Sequence, residues 1–203
     1  MGELFLTRHC KTTWNLEGLL QGTVDQPLAD VGRREAIDVV ESFADLGVTV
    51  VLSSPMRRAK QTARIYADAL GVELGGVVSG LRELDHGSWE GMVIERLLAD
   101  PGTGYGRWMN DPSTVGIPDA AEDVWQAQRR ACSALVRLAD DWRSERVLVV
   151  SHKHILALVR CALLGLTFAA FESQIVESIH PWHVEPDQLL RAQAVARRDS
   201  ADA

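Results

Sequence analysis

Leu4-Phe5-Leu6-Thr7-Arg8-His9-Cys10-Lys11-Thr12-Thr13-Trp14-Asn15 passes from apolar to cationic to polar within a few residues. An apolar run this short, stopped by a polar turn, reads as a buried strand. Ligands of open α/β sheets bind just beyond the C-terminal ends of the strands, and Arg8-His9 falls there. A guanidinium fork matches phosphate oxygens and an imidazole can act as a nucleophile, so a phosphate-bearing ligand suits this pair. Taken alone, the same residues also fit a strand end whose polar groups simply meet water.

Working outward, residues 11–30 are polar and broken by Gly18, Gly22 and Pro27. Asp30 reads as an N-cap, and Ala36, Val39, Val40 and Phe43 keep helical spacing over 31–46, before Gly47. Val48-Thr49-Val50-Val51-Leu52 is β-branched and predicts a second strand. Ser53-Ser54-Pro55 turns into a helix over 56–70 closed by Gly71, and 72–78 reads as a weaker strand. Residues 82–118 mix tryptophan, glycine and proline with short helical pieces, as a loop-rich insertion would. A long amphipathic helix over 120–142 precedes the strand Arg146-Val147-Leu148-Val149-Val150, then Ser151-His152 and a helix over 153–164. Residues 174–184 read as a strand, while 187–198 carry helix formers yet could continue the sheet. Alternating strands and helices predict a three-layer α/β/α sandwich with a mostly parallel central sheet and a small inserted cap, all in one domain spanning 1–203.

The chain has 203 residues, room for one full core. Its net charge of −7 argues against nucleic acid as the main partner, since backbone binding needs a basic face. A small anionic substrate responds to local charge instead and stays compatible. Cys10, Cys132 and Cys161 are too far apart for a disulfide framework or zinc knuckle, which suits a reducing, cytoplasmic compartment. No signal-peptide pattern opens the chain, and the most apolar stretch, 155–166, contains Arg160, so no membrane partner is expected. An apolar sheet edge and exposed tail would suit a homodimer.

Three strand ends carry residues suited to holding an anion. They are Arg8 and His9, then Ser53 to Ala63 with Arg57 and Arg58, then Ser151-His152. Parallel strands bring these ends to one edge, where two imidazoles and several guanidiniums make an anion pocket. Leu81-Arg82-Glu83-Leu84-Asp85-His86-Gly87-Ser88-Trp89-Glu90-Gly91 adds carboxylates after the third strand. A carboxyl facing a bound phosphate can stay protonated and serve as a general acid; Glu83, Asp85, Glu90 and His86 are all candidates. Arg57, beside Arg58 and Lys60, reads as part of a solvated basic patch.

In order along the chain, these segments resemble the histidine phosphatase superfamily, the phosphoglycerate mutase-like group. Arg8 to Asn15 stands where that family has Arg-His-Gly-Glu-Thr-x-Trp-Asn. Leu20-Gln21-Gly22, Asp25-Gln26-Pro27-Leu28, Gly32, Ser54 to Ala63, Leu81 to Gly91 and Val150 to His152 follow, with Ala121-Glu122 a loose match to a Gly-Glu pair. The resemblance implies His9 as the nucleophile, Arg8, Arg58 and His152 on the phosphoryl oxygens, and Glu83 as proton donor to the leaving oxygen. It places Asn15 and Gln21 in the pocket and Glu122 nearby, and it implies hydrolysis of a small phosphorylated metabolite without metal or other cofactor. Two alternatives are a phosphoglycerate-type mutase and a non-catalytic descendant that binds a phospho-ligand or a protein.

Cys10 and Lys11 replace the family's glycine and glutamate, and Lys153-His154 replaces small or apolar residues. Cys10 and Lys153 are therefore expected at the substrate, with Lys11, Lys153 and His154 adding charge that favours a second anionic group. His152, His154, His180 and His183 would permit a metal reading, but no ordered Asp or Cys ligands accompany them. Trp89, Tyr105, Trp108 and Trp125 could line the substrate side or pack the insertion.

Overall fold

The computed structural model describes residues 2–197. Strands β1 (Glu3–Arg8), β2 (Val50–Ser53), β3 (Glu73–Val77), β4 (Arg146–Ser151) and β5 (Trp182–Val184) form one sheet in the order β3-β2-β4-β1-β5. All neighbours are parallel except β5, which pairs antiparallel with β1. Along β1 and β4 every register pair is in step, from Leu4 opposite Val147 to Arg8 opposite Ser151, so both strands deliver their last residues to the same edge.

Strand periodicity divides the core in two. Leu4, Leu6, Val50, Leu52, Val147 and Val149 face one side of the sheet, whereas Phe5, Val51, Leu148 and Val150 face the other. On the second face lie α2 (Asp30–Val40) and α3 (Arg57–Leu70), through Ala36, Val40, Ala59, Ala63 and Tyr66. The first face is covered by α6 (Val124–Asp141), α7 (Lys153–Leu164) and α8 (Pro186–Ala196), through residues such as Leu135, Leu158 and Ala192. A sheet buried on both faces explains why its strands read as continuous apolar runs. None of the helices among the described residues is long and apolar enough to cross a membrane.

Short elements fill the ends of the sheet. Helix α1 (Thr13–Leu16) follows β1 and is closed by a reciprocal Thr12–Asn15 capping box. The segment after β3 holds α4 (Ile94–Ala99), α5 (Tyr105–Asn110) and several 3-10 turns. It is laced to the loop after β1: Leu20 N–H donates to Met92 O (3.0 Å), Gly91 N–H to Leu20 O (2.8 Å) and Ile94 N–H to Gly18 O (2.9 Å). Trp89, Tyr105 and Trp108 are buried against one another with ring centroids 5.3–5.9 Å apart, so they pack this segment onto the core. Trp125 is half exposed and packs tilted against Phe168, ring centroids 4.4 Å apart.

Several element bounds differ from the sequence expectation. Ala29, not Asp30, is the N-cap of α2; Asp30 lies in the first turn, where its charge suits the helix dipole. The helix tightens to a 3-10 segment, Glu41–Leu46, before Gly47. The first helical residue after Asp123 is Val124, because Asp123 and Gln126 form a capping box there. Only Trp182–Val184 of 174–184 joins the sheet, and Pro186 with the Glu185–Gln188 box starts a helix rather than a further strand. Arg198, at the end of that expected helix, lies outside the described residues. At Gly32 a Cβ would stand 2.0 Å from the Lys11 carbonyl oxygen, so glycine lets α2 close on the loop that follows His9.

Candidate active site

A cavity of about 430 Å³ opens at the C-terminal edge of β1 and β4. Arg8, His9, Asn15, Gln21, Arg58, Glu83 and Lys153, separated by as much as 145 residues in sequence, all line it. Each arrives by a different element: β1 ends in Arg8, His9 follows it, α3 brings Arg58 in its first turn and α7 starts with Lys153.

His9 is almost fully buried. Its Nδ1 lies 2.7 Å from the Cys10 carbonyl oxygen, which can only accept, so Nδ1 carries the hydrogen and Nε2 keeps a lone pair. Burial lowers the imidazole well below its ordinary value, and the Arg58 and Arg8 charges push it the same way, against the opposing Cys10 hydrogen bond. Neutral, correctly tautomerised and beside two guanidiniums, His9 has the features of a nucleophile for an anionic centre.

Arg58 is fixed at its tip. Its Nη1 and Nη2 donate to Val24 O (2.9 Å) and Gly22 O (2.8 Å), and Nε donates to His152 Nδ1 (3.3 Å). Gly22 adopts φ +51, and a Cβ there would meet Glu90 Oε1 at 2.0 Å, so the turn that receives Arg58 needs glycine. Because His152 Nδ1 accepts, Nε2–H is left to donate to Ser54 Oγ, at 2.5 Å. Burial, then Arg58 and His9, lowers His152 well below the ordinary histidine value. The His152 ring stands 5.1 Å from that of His9 without lining the cavity, so in this state it acts behind Arg58.

Glu83 meets the start of α7. Its Oε1 accepts from Leu84 N (2.9 Å) and Ile155 N (2.9 Å), and Oε2 accepts from His154 N (3.2 Å). Free helix N–H groups thus orient the carboxyl on the cavity wall, with Oε2 the less engaged oxygen. Asp85 instead caps Gly87 N and Ala121 N, and Glu90 holds Thr23, so neither replaces Glu83 at the cavity. His86 is buried with Nε2 2.7 Å from His154 Nδ1.

Besides His152, two expected pocket residues lie off the cavity. Cys10 turns to the α2/α3 core, its Sγ 3.4 Å from Tyr66 Oη and its N–H donating to Thr62 Oγ1. Burial pushes its thiol up to about 11, and position 10 has no left-handed backbone that would demand glycine. Glu122 pairs with Arg82 (3.0 Å) and Arg130 (2.6 Å), and Arg130 donates to the carbonyls of Gly80, Arg82 and Glu83. It therefore steadies the segment carrying Glu83 from outside the cavity. Among the described residues no three His, Cys, Asp or Glu side chains group as a metal site; His180 meets Ser42 and His183 meets Glu185.

Sequence reasoning missed Ser54, Glu35 and Glu177. Ser54 lies inside a recognised motif, so its placement beside His152 was within reach. Glu35 pairs with Lys11 at 3.1 Å, and Glu177 with Arg8 and Lys153; both carboxylates line the cavity, from stretches with no distinctive pattern.

The sequence model of the histidine phosphatase superfamily (branch 1) matches residues 4–185. Phosphoserine phosphatase 1 of Hydrogenobacter thermophilus is 30% identical over 175 residues, covering 85% of this chain and 81% of that protein. A probable phosphoglycerate mutase of Salmonella arizonae is 34% identical over 166 residues, covering 82% and 76%. The solved structure of a mycobacterial glucosyl-3-phosphoglycerate phosphatase superposes with a TM-score of 0.74 at 25% identity, covering 85% of each chain.

Proposed function

The chain belongs to the histidine phosphatase superfamily and is a hydrolase of phosphate monoesters, and we propose that it works through a phosphohistidine on His9. The observation that carries this mechanism is the His9 Nδ1–H bond to the Cys10 carbonyl, which leaves Nε2 unprotonated in a cavity that Arg8 and Arg58 also line. Nε2 attacks phosphorus, the bond from phosphorus to the ester oxygen breaks, and a protonated Glu83 gives its proton to the leaving oxygen. Water then attacks the phosphohistidine, Glu83 takes its proton, and the phosphorus–nitrogen bond breaks to release phosphate. Arg8 and Arg58, the latter held by His152, neutralise charge on the transferring oxygens. Asn15 and Gln21 contact the substrate. No step needs a metal, since fixed guanidiniums supply the positive charge.

The substrate is a small phosphorylated metabolite, matched to a cavity of about 430 Å³. Residues 82–118 act as its cap within a single domain. The three cysteines are buried and free, as suits a cytoplasmic protein. Similarity to a probable mutase favours a second reading, transfer of the phosphoryl group back to the substrate.

Phosphate release from an aryl phosphate and a panel of metabolite phosphates, with chelator present, tests the proposal. Turnover that survives chelator, with acid-labile phosphate on wild type and neither in His9→Ala, is expected. Turnover retained by His9→Ala, or abolished by chelator, overturns it; phosphoryl exchange without net release favours the mutase.

A further inference from the structure

Three of the cations at the cavity, Arg8, Lys11 and Lys153, already face a carboxylate. Four cations line the cavity (Arg8, Lys11, Arg58 and Lys153), against three carboxylates, Glu35, Glu83 and Glu177. Glu83 is held by backbone N–H groups and Glu35 by Lys11. Glu177 differs. It comes from the irregular stretch before β5, tied down by Thr7 Oγ1 donating to Ile179 O. Its Oε2 pairs with Arg8 Nη1 and its Oε1 with Lys153 Nζ, so one carboxylate bridges both cations. Partial burial pushes this carboxyl up, but Arg8 and Lys153 outweigh it and hold it below its ordinary value. Arg8 Nε is buried without a partner, and the Glu177 side chain is 65% exposed, so the bridge can be opened from solvent.

We propose that Glu177 is a specificity-determining residue, an internal counter-ion that the substrate's phosphoryl group must displace from Arg8 and that then remains beside Lys153 at the mouth. The inference rests on the phosphatase reading of the same cavity. A phosphoryl group arriving at Arg8 replaces one anion by another, which weakens net binding. The displaced carboxylate then faces the leaving group. It cancels the Lys153 charge that a second substrate anion would use, and it attracts an ammonium. The preferred substrates are therefore monoesters whose alcohol part is neutral or cationic near the phosphate, rather than those carrying a further carboxylate or phosphate. Lys11, Lys153 and His154 read from the sequence suggest the reverse, but Glu35 pairs with Lys11, Glu177 with Lys153, and burial lowers His154 well below the ordinary histidine value.

The test compares wild type with Glu177→Gln, which keeps shape and removes charge, on phenyl phosphate, 3-phosphoglycerate and phosphoethanolamine. Only the Glu177–Arg8 pair is displaced, and its carboxylate is mostly exposed, so the KM for phenyl phosphate should fall roughly 2- to 5-fold. KM for 3-phosphoglycerate should fall further and that for phosphoethanolamine least, with kcat moving less than KM throughout. If KM rises, or kcat falls equally for all three, Glu177 positions Arg8 and the proposal is wrong. Titration calorimetry with orthovanadate reads the competition without turnover: tighter binding to Glu177→Gln supports it, and equal affinity overturns it. A wild type that binds orthovanadate but hydrolyses nothing would remove the phosphatase reading while leaving the counter-ion measurable. Glu177→Ala should repeat each result if the glutamine variant fails to fold.

Discussion

Replacing His86 with phenylalanine should cost markedly less stability at pH 5.0 than at pH 7.5. His86 is fully buried, edge-on to Trp108 at 5.2 Å and 2.7 Å from His154 Nδ1. Burial lowers it from 6.5 to about 3, with Asp85 opposing only weakly. As pH falls through 6.5 the unfolded chain takes up a proton that the folded chain refuses until about pH 3. The unfolded state therefore binds more protons across that window, and stability declines as pH falls. At about 1.4 kcal/mol per pH unit, the 1.5 units between pH 6.5 and 5.0 remove about 2 kcal/mol through His86 alone. Phenylalanine keeps the ring against Trp108 and cannot titrate, but it deprives His154 Nδ1 of its partner, at a cost of about 1–3 kcal/mol. The variant should thus be about 1–3 kcal/mol less stable than wild type at pH 7.5, and that deficit should shrink by about 2 kcal/mol at pH 5.0. Urea midpoints followed by tryptophan fluorescence, to which Trp108 contributes, measure both values. An unchanged difference at the two pH values would refute the reasoning, because it would mean that His86 titrates alike in both states.

Arg58→Lys should lower kcat/KM by roughly 10²- to 10³-fold, since lysine cannot hold Gly22, Val24 and His152 together while facing an oxyanion. Glu83→Gln should slow release of a poor leaving alcohol by roughly 10²- to 10⁴-fold and that of an aryl alcohol much less, measured as single-turnover phosphoenzyme formation. Glu122→Gln should reduce kcat more than KM and cost about 1–3 kcal/mol in urea unfolding, because it loosens Arg130 and through it the Glu83 segment. Cys10→Ser should leave KM unchanged, as its side chain faces Tyr66 rather than the cavity; a KM shift comparable to that of Asn15→Ala would contradict this placement.

The sheet was legible because a strand buried on both faces must be apolar at every position: Leu4 to Leu6 and Val147 to Val150 could hardly be anything else. The convergence of Arg8, His9 and Arg58 was legible too, since parallel strands send their ends to one edge. The stretch 174–184 was not. Its β-compatible composition does not decide pairing, and only Trp182–Val184 finds a free edge, on β1.

What the sequence determined by itself, then, is a set of candidate anion-binding groups and the sheet edge at which they meet. Strand periodicity places Arg8, His9 and Ser151-His152 at strand ends, parallel pairing brings such ends to one edge, and the motif resemblance adds Glu83, Asn15 and Gln21. Tertiary structure decided which side each remaining side chain serves. Cys10 follows His9 directly yet its side chain packs in the α2/α3 core, and Trp108 packs on His86 rather than lining the cavity. His152 spends both ring nitrogens on Arg58 and Ser54, and Glu177, distant in sequence and without a motif, closes on Arg8 and Lys153. Such choices depend on contacts across long loops, where charge and shape match in space and spacing along the chain carries no signal.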